Sequence, residues 1–384
     1  MSAAPATDDI LTRAQVEQTA ASIAAVQEPS GAIPWSAGEH TDVWNHLESA
    51  MALMVGGQRE AAERAFAWVR GTQRHDGSWP MKIVVGEVED HSGESNMSAY
   101  VAVATWHHWL VARDEAFVRR MWPTVSRALD FVVSLQLPFG GIAWSQEWHD
   151  GRPADVNREA LLAGSSSIHH SLRAGVALAH LVGDPRGGWE VAADRLGHAL
   201  REHRDQFLDK STFSMDWYYP VLGGAVRGEA ASEMLAERWD TFVQPGLGIR
   251  CVSTNPWVTG AETCELVLAL EAIGDRERAL RLFADMQHLR AGDGSYWTGY
   301  VWPDEVNWPA EQTTYTAAAV VLAFDALSDA TPGADIMRGT ALWSDPGSDL
   351  GSDLGSDPGE LGLDCGCGTG SSAQRVAGVA RRTA

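Results

Sequence analysis

Apolar residues recur at a spacing near 3.6 from about residue 12 to residue 327, the spacing that keeps one face of a helix dry; alternating strand patterns are short and scarce. Two kinds of helical segment alternate. Segments at about 12–27, 58–74, 115–136, 187–206, 229–243 and 276–289 are amphipathic, with one charged face, as in Arg59, Glu60, Glu63, Arg64 and Arg70. Between them, segments at about 42–56, 95–112, 165–182, 216–227, 258–273 and 311–328 carry little charge: Met97 to Ala112 has none, and Ser165 to Val182 has only Arg173. A helix that is apolar all round is buried all round. Six solvent-facing helices alternating with six buried ones predict an all-α fold, an (α/α)6 toroid with an inner ring wrapped by an outer one, over residues 12–332.

The connections are unequal. Gly56-Gly57 and Gly274-Asp275 mark tight turns out of buried helices, with glycine as the natural stop. The connections leading into the buried helices, at about 28–41, 75–94, 137–164, 206–215, 244–257 and 290–310, are long, and long loops in a compact domain are usually functional. Topology gathers them at one end, over the N-termini of the inner helices. A degenerate motif recurs where outer helices end: Trp68-Val69 with Gln73, Gly77 and Trp79, and looser copies at Gln27/Gly31/Trp35, Gln136/Gly141/Trp144 and Gln287/Gly294/Trp297. Here Gln is expected to bond freed helix-end carbonyls, Gly to permit the turn and Trp to staple it.

The Trp68 to Trp79 stretch is similar to the QW motif of squalene and hopene cyclases. The hairpin alternation resembles the wider set of terpenoid cyclases, protein prenyltransferases and six-hairpin glycosidases, and residues 12–330 look like actinobacterial proteins labelled prenyltransferase or squalene-cyclase-like. The resemblance implies a toroid more directly than an activity.

Composition narrows the chemistry. With 29 Lys+Arg against 51 Asp+Glu the 384-residue chain has a net charge of −22, which excludes a basic nucleic-acid binder. The longest apolar run, Ala317 to Phe324, is far short of the roughly 20 residues that span a bilayer. No membrane insertion is expected, and the N-terminus (residues 1–11) has no leader pattern, so the chain reads as cytoplasmic, with Cys251 and Cys264 as reduced thiols. A protonating terpene cyclase would need a DxDD acid, prenyl transfer a zinc site or a DDxxD motif; neither pattern occurs. Seventeen Trp against 6 Tyr and 9 Phe, by contrast, suit sugar stacking.

Glycosidic cleavage needs two carboxylates, one to protonate the leaving oxygen and one to activate water or attack carbon. Carboxylates stand at or near the inner-helix starts: Asp42 and Glu48, Glu94, Asp216, Glu262 with Glu265, and Glu311. Around them fall Trp44, Trp144, Trp148, Trp217, Tyr218, Tyr219, Trp257, Trp297, Tyr300, Trp302 and Trp308. The stretch from Gly141 to Glu147, leading to Ser165-Ser166-Ser167-Ile168-His169, is similar to the acid-bearing loop of bacterial glucoamylase-like enzymes, which implies Glu147 as general acid; Asp304, Glu305 and Glu311 are the matching base candidates. The candidate catalytic set is therefore Glu147, Glu311, Asp216, Glu262 and Asp42. The candidate binding set is Trp44, Trp144, Trp217, Tyr218, Trp257, Trp297, Tyr300, Trp302 and His169. Asp42 and Asp216 also fit helix N-cap chemistry. His107-His108 and His169-His170 diverge by about 100° on a helix, so no metal is expected, and no cofactor. The expected partner is a small-molecule or oligosaccharide substrate. An isoprenoid-handling enzyme, with an aromatic lining that stabilises carbocations, is the alternative, and a non-catalytic binding or scaffold toroid the second.

From residue 333 a tail is expected. Four Ser-Asp-x-Gly tetrads from Ser344 to Gly359 cannot build a core and read as disordered. The following Leu361 to Gly370 resembles the glycine-rich first motif of class I S-adenosylmethionine methyltransferases. Too little chain follows for a nucleotide-binding sheet, so it reads as a fragment without methyl-transfer activity.

Overall fold

The computed structural model describes residues 6–343. The Ser-Asp-x-Gly tetrads and the methyltransferase-like fragment lie outside the described residues. Twelve helices alternate as expected. The outer ones are α1 (Arg13–Val26), α3 (Arg59–Thr72), α5 (Glu115–Ser134), α7 (Gly187–Glu202), α9 (Gly228–Glu237) and α11 (Arg276–Asp285). The inner ones are α2 (Val43–Val55), α4 (Val101–Ala112, led in by a helical turn at Ser95–Ala99), α6 (Leu162–Val182), α8 (Met215–Leu222), α10 (Gly260–Ala272) and α12 (Thr314–Ser328). Each inner helix packs on the next, α12 closes on α2, and every inner helix is backed by an outer one. Two inner helices are buried almost throughout, at twelve of the thirteen residues of α2 and fourteen of the fifteen of α12, while the longer α6 is buried at thirteen of twenty-one. α8 ends at Leu222, five residues before the expected end, and the Gly223 that caps it must be glycine, since a Cβ there would stand 2.1 Å from the Ser166 carbonyl oxygen of α6.

The repeated Gln and Gly form a clasp between neighbouring outer helices. Gln73 donates to the Gly77 carbonyl (3.0 Å) and to the Thr124 carbonyl of α5 (2.9 Å), and Arg127 of α5 donates back to Gln73 Oε1. Gln27 does the same with Gly31, Ala61 and Arg64 of α3, and Gln136 with Gly140, Ala192 and Arg195 of α7. The expected bond to the helix's own end is thus replaced by a bond to the next helix, and the third turn glycine is Gly140, not Gly141. Gly31, Gly77 and Gly140 have φ of +98°, +98° and +103°, and a Cβ on any of them would meet the facing Arg carbonyl at 2.1–2.6 Å, so glycine is required twice over. The Gln287 copy departs from this: its amide, in the 3-10 turn Met286–Leu289, donates back to the Phe283 carbonyl of the preceding α11, and Arg290 instead meets Gln18 of α1.

The long connections carry three small antiparallel sheets. The first joins β1 (His40–Thr41), β2 (Lys82–Val84) and β3 (Glu87–Asp90); the second β4 (Gly93–Glu94), β5 (Ser145–His149) and β6 (Arg152–Asn157). The third has the order β11-β10-β9-β8-β7, from β7 (Val243–Gln244), β8 (Gly248–Arg250), β9 (Trp257–Thr259), β10 (Gly299–Val301) and β11 (Val306–Asn307). β1, β4 and β9 run straight into α2, the Ser95 turn and α10, which fixes where those helices begin. At the other end a strap follows α12. A short 3-10 helix, Pro332–Asp335, is held by Thr331 on Asp325 (2.7 Å) and leads to buried Ile336 and Met337, so the packed body runs past residue 332. Among the described residues no helix is long and apolar enough to cross a membrane.

Candidate active site

The mouth, the end of the ring at the N-termini of the inner helices, carries the candidate carboxylates. On one wall, Asp42 caps α2: Asn45 donates to it through its backbone N–H (2.9 Å) and its side-chain amide (2.5 Å), with His40 Nε2 at 3.8 Å. Beside it Glu94 caps the Ser95 turn and accepts from the Met97 N–H at 2.5 Å. Both are buried, and burial pushes both carboxyls up, Glu94 to about 7 with the Asp42 charge adding to the rise.

On the opposite side of the ring, α10 presents Glu262 and Glu265 three apart on one face. Glu265 is buried and is the deeper of the two. Tyr218 donates to its Oε2; Tyr219 (2.6 Å) and Tyr315 (2.9 Å) donate to its Oε1. Burial and the neighbouring Glu262 push Glu265 up to about 7, against the pull of the three hydroxyls. Glu262, one turn nearer the mouth and half-buried, has the Cys251 thiol as a neighbour. Below lies a small, partly enclosed cavity, lined by Glu48, Glu265, Tyr100, Tyr219, His170 and Met337. Glu48 is held well above the usual carboxylate range by burial and by the charges of Glu265 and Asp42.

Trp44 stands at the centre of this arrangement, its ring 6.0 Å from Tyr100, 6.3 Å from Tyr219 and 5.9 Å from Tyr315. The rim is built from the third sheet and its loops: Trp257 donates to the Trp308 carbonyl (2.7 Å) and meets the exposed Trp308 ring edge-on, while Arg250 lies over Trp302. Trp144 is half-buried where its carbonyl receives the Ser95 N–H and hydroxyl.

Other expected residues fall elsewhere. Trp217 is buried against α9 and Phe242, donating to the Met234 carbonyl (2.9 Å). His169 is buried in the wall, with Nδ1 on the Gly223 carbonyl and its other edge against Gly197 of α7. Tyr300 shares a sheet face with buried Val258 and meets His288 edge-on. Trp297 pairs with Gln312 against the core. Asp216 is not a cap of its own helix; it accepts from the Ala163 N–H of α6 at 3.3 Å, and burial pushes it up to about 6. Glu147 sits half-buried on β5 with Ser92 donating at 3.3 Å, and Glu311 accepts from Trp35 Nε1 at 3.0 Å. The site also draws on residues outside the expected set. Glu94, Glu48 and Glu265 share one signal, an acid in an otherwise apolar helix or at its cap. Tyr100, Tyr315 and Trp35 carry none that separates them from core aromatics. Among the described residues no group of three or more His, Cys, Asp or Glu could hold a metal ion.

No protein-family model matches the chain. Over 342 residues, 89% of this chain and 94% of the relative, it is 56% identical to the MMP endo-(1,4)-3-O-methyl-alpha-D-mannosidase of Mycolicibacterium hassiacum. The chain belongs to this mannosidase family. It is accordingly an enzyme of glycoside hydrolase type. Solved structures agree on the fold. A glycosidase is 16% identical with a TM-score of 0.64, over 83% of this chain and 98% of that one. A D-mannose isomerase is 11% identical with a TM-score of 0.61, over 81% and 96%. The mannosidase family thus shares its toroid with enzymes of other activities.

Proposed function

We propose that the chain hydrolyses α-(1→4) bonds inside chains of 3-O-methyl-D-mannose, with Glu94 as proton donor and Glu262 as base on opposite walls of the mouth. The observation that carries this is the ring order: the turn bearing Glu94 leads into α4, which lies directly across the inner ring from α10, which bears Glu262. A proton donor must hold its proton near neutral pH, and Glu94, pushed up to about 7, does so. Asp42, fixed by Asn45, keeps that proton on Glu94 by its own charge. Glu262 faces the opening with Glu265 beneath it, and takes the proton of the attacking water. Trp44 forms the floor, and Trp144, Trp257 and Trp302 stack on the sugar faces, whose O-methyl groups add apolar area suited to indole.

The family relationship supports a sugar over an isoprenoid ligand. Glu147 and Glu311, each bonded to a neighbouring side chain, serve in this reading to hold the rim. Turnover of a linear α-(1→4)-linked 3-O-methylmannose oligosaccharide tests the assignment. Glu94→Gln and Glu262→Gln should each lower kcat by about 10²–10⁴-fold with the fold retained by circular dichroism, and Glu147→Gln and Glu311→Gln by less than about tenfold. Retention of wild-type kcat by both of the first pair would overturn it.

A further inference from the structure

A groove of about 770 Å³ crosses the same end of the toroid, outside the mouth, between the second half of α1 and the loops that lead into α2 and α12. Its volume lies in the range of about 300–1,000 Å³ common to small-molecule sites. The walls mix methyl groups with hydrogen-bonding groups. Ala21 and Ala25, one turn apart on the exposed side of α1, face Ala37 of the opposite loop, and Glu39, Glu311 and Gln312 add carboxylate and amide oxygens. Charged residues are usual on a solvent-facing helix; here small ones keep a depression open.

The groove adjoins the mouth through one side chain. Glu311 lines it and also accepts from Trp35 Nε1. Trp35 in turn stacks on His40 at 5.7 Å and lies 5.6 Å from Tyr315, which donates to Glu265. One indole therefore stands between the groove and Tyr315, which holds Glu265 beneath the proposed base Glu262.

Resting on the proposed endo-hydrolysis, we propose that this groove is a second sugar-binding site, which holds methylated mannose units of the same chain on one side of the bond being cut. An enzyme that cuts within a chain must hold units on both sides of the cut. A 3-O-methyl hexose offers what the groove fits: a methyl group for the alanines and hydroxyl donors for the carboxylate and amide oxygens. The ligand is uncharged, so the chain's net charge of −22 does not oppose it.

Ala21→Trp and Ala25→Trp fill the groove from an exposed helix face, where a large side chain leaves the packing intact. Turnover is compared on linear α-(1→4)-linked 3-O-methylmannose chains of two or three units and of ten or more. Expected is a rise of about fivefold or more in KM for the long chain, with kcat and KM for the short one unchanged. An equal effect on both lengths, or none, would overturn the groove. If the wild-type protein cleaves neither length, the hydrolysis reading fails and the groove is tested by calorimetry with the long chain. Binding that the tryptophan variants weaken supports it; unchanged binding, or none, overturns it.

Discussion

At the scale of single residues, the molecule keeps acids and histidines inside by opposite routes. Glu265 survives burial because three phenol hydroxyls converge on it. Tyr315→Phe should cost about 1–2 kcal/mol in urea denaturation and raise the Glu265 carboxyl further, since the lost bond favoured the charged form. Glu94 has a folded pKa of about 7, above its unfolded value, so its proton is held below that pH and lost as pH rises through it. The matching expectation is a kcat that declines above about pH 7, a limb that the residual activity of Glu94→Gln should lack. His107 is the reverse case. Burial lowers it to about 3, and neither ring nitrogen has a hydrogen-bond partner. Its contribution to stability is complete above the unfolded value near 6.5 and is lost as pH falls toward 3. His107→Leu should therefore narrow the loss between pH 6.5 and 5 by about 2 kcal/mol, read from melting curves at the two pH values. Carboxylates in apolar helices were legible in the sequence, because burying one demands a reason. What each touches was not: Trp44 and Trp217 look alike as indoles in the first turn of an inner helix, yet one meets three tyrosines at the mouth and the other packs on α9.

Among elements, the helices were the most legible part, because two rings impose two distinct polarity patterns and each segment satisfies one. The small sheets were not legible, since strands of two to six residues are too short to show an alternation. The Gln-Gly spacing was visible but its partner was not, because the receiving carbonyl lies on the next outer helix, more than thirty residues away. Its stability is testable. Gln73→Ala removes two donated and two accepted bonds and should cost about 1–3 kcal/mol by chemical denaturation, while Gly77→Ala, whose Cβ would press on the Arg127 carbonyl at 2.1 Å with φ at +98°, should cost more than Gln73→Ala.

For the whole molecule, closure of the inner ring and closure of its far end are separate matters. Met337 floors the cavity below Glu48 and Glu265, and Arg227 donates to its carbonyl at 3.1 Å. Met337→Ala should lower stability by about 2–5 kcal/mol in thermal or urea unfolding, and leave KM for short sugars unchanged, because the strap lies beneath the reacting groups. The strap also bears on how a polymer would be handled under the proposed hydrolysis. With Met337 and the strap beneath Glu48 and Glu265, the ring would act as a blind well and not a tunnel. No chain would thread it; both arms of a long substrate would have to leave by the opening through which it came, which would impose a bend at the bond to be cut. Such an enzyme would strike, release both fragments to the same side and begin again elsewhere, without ratcheting along the strand.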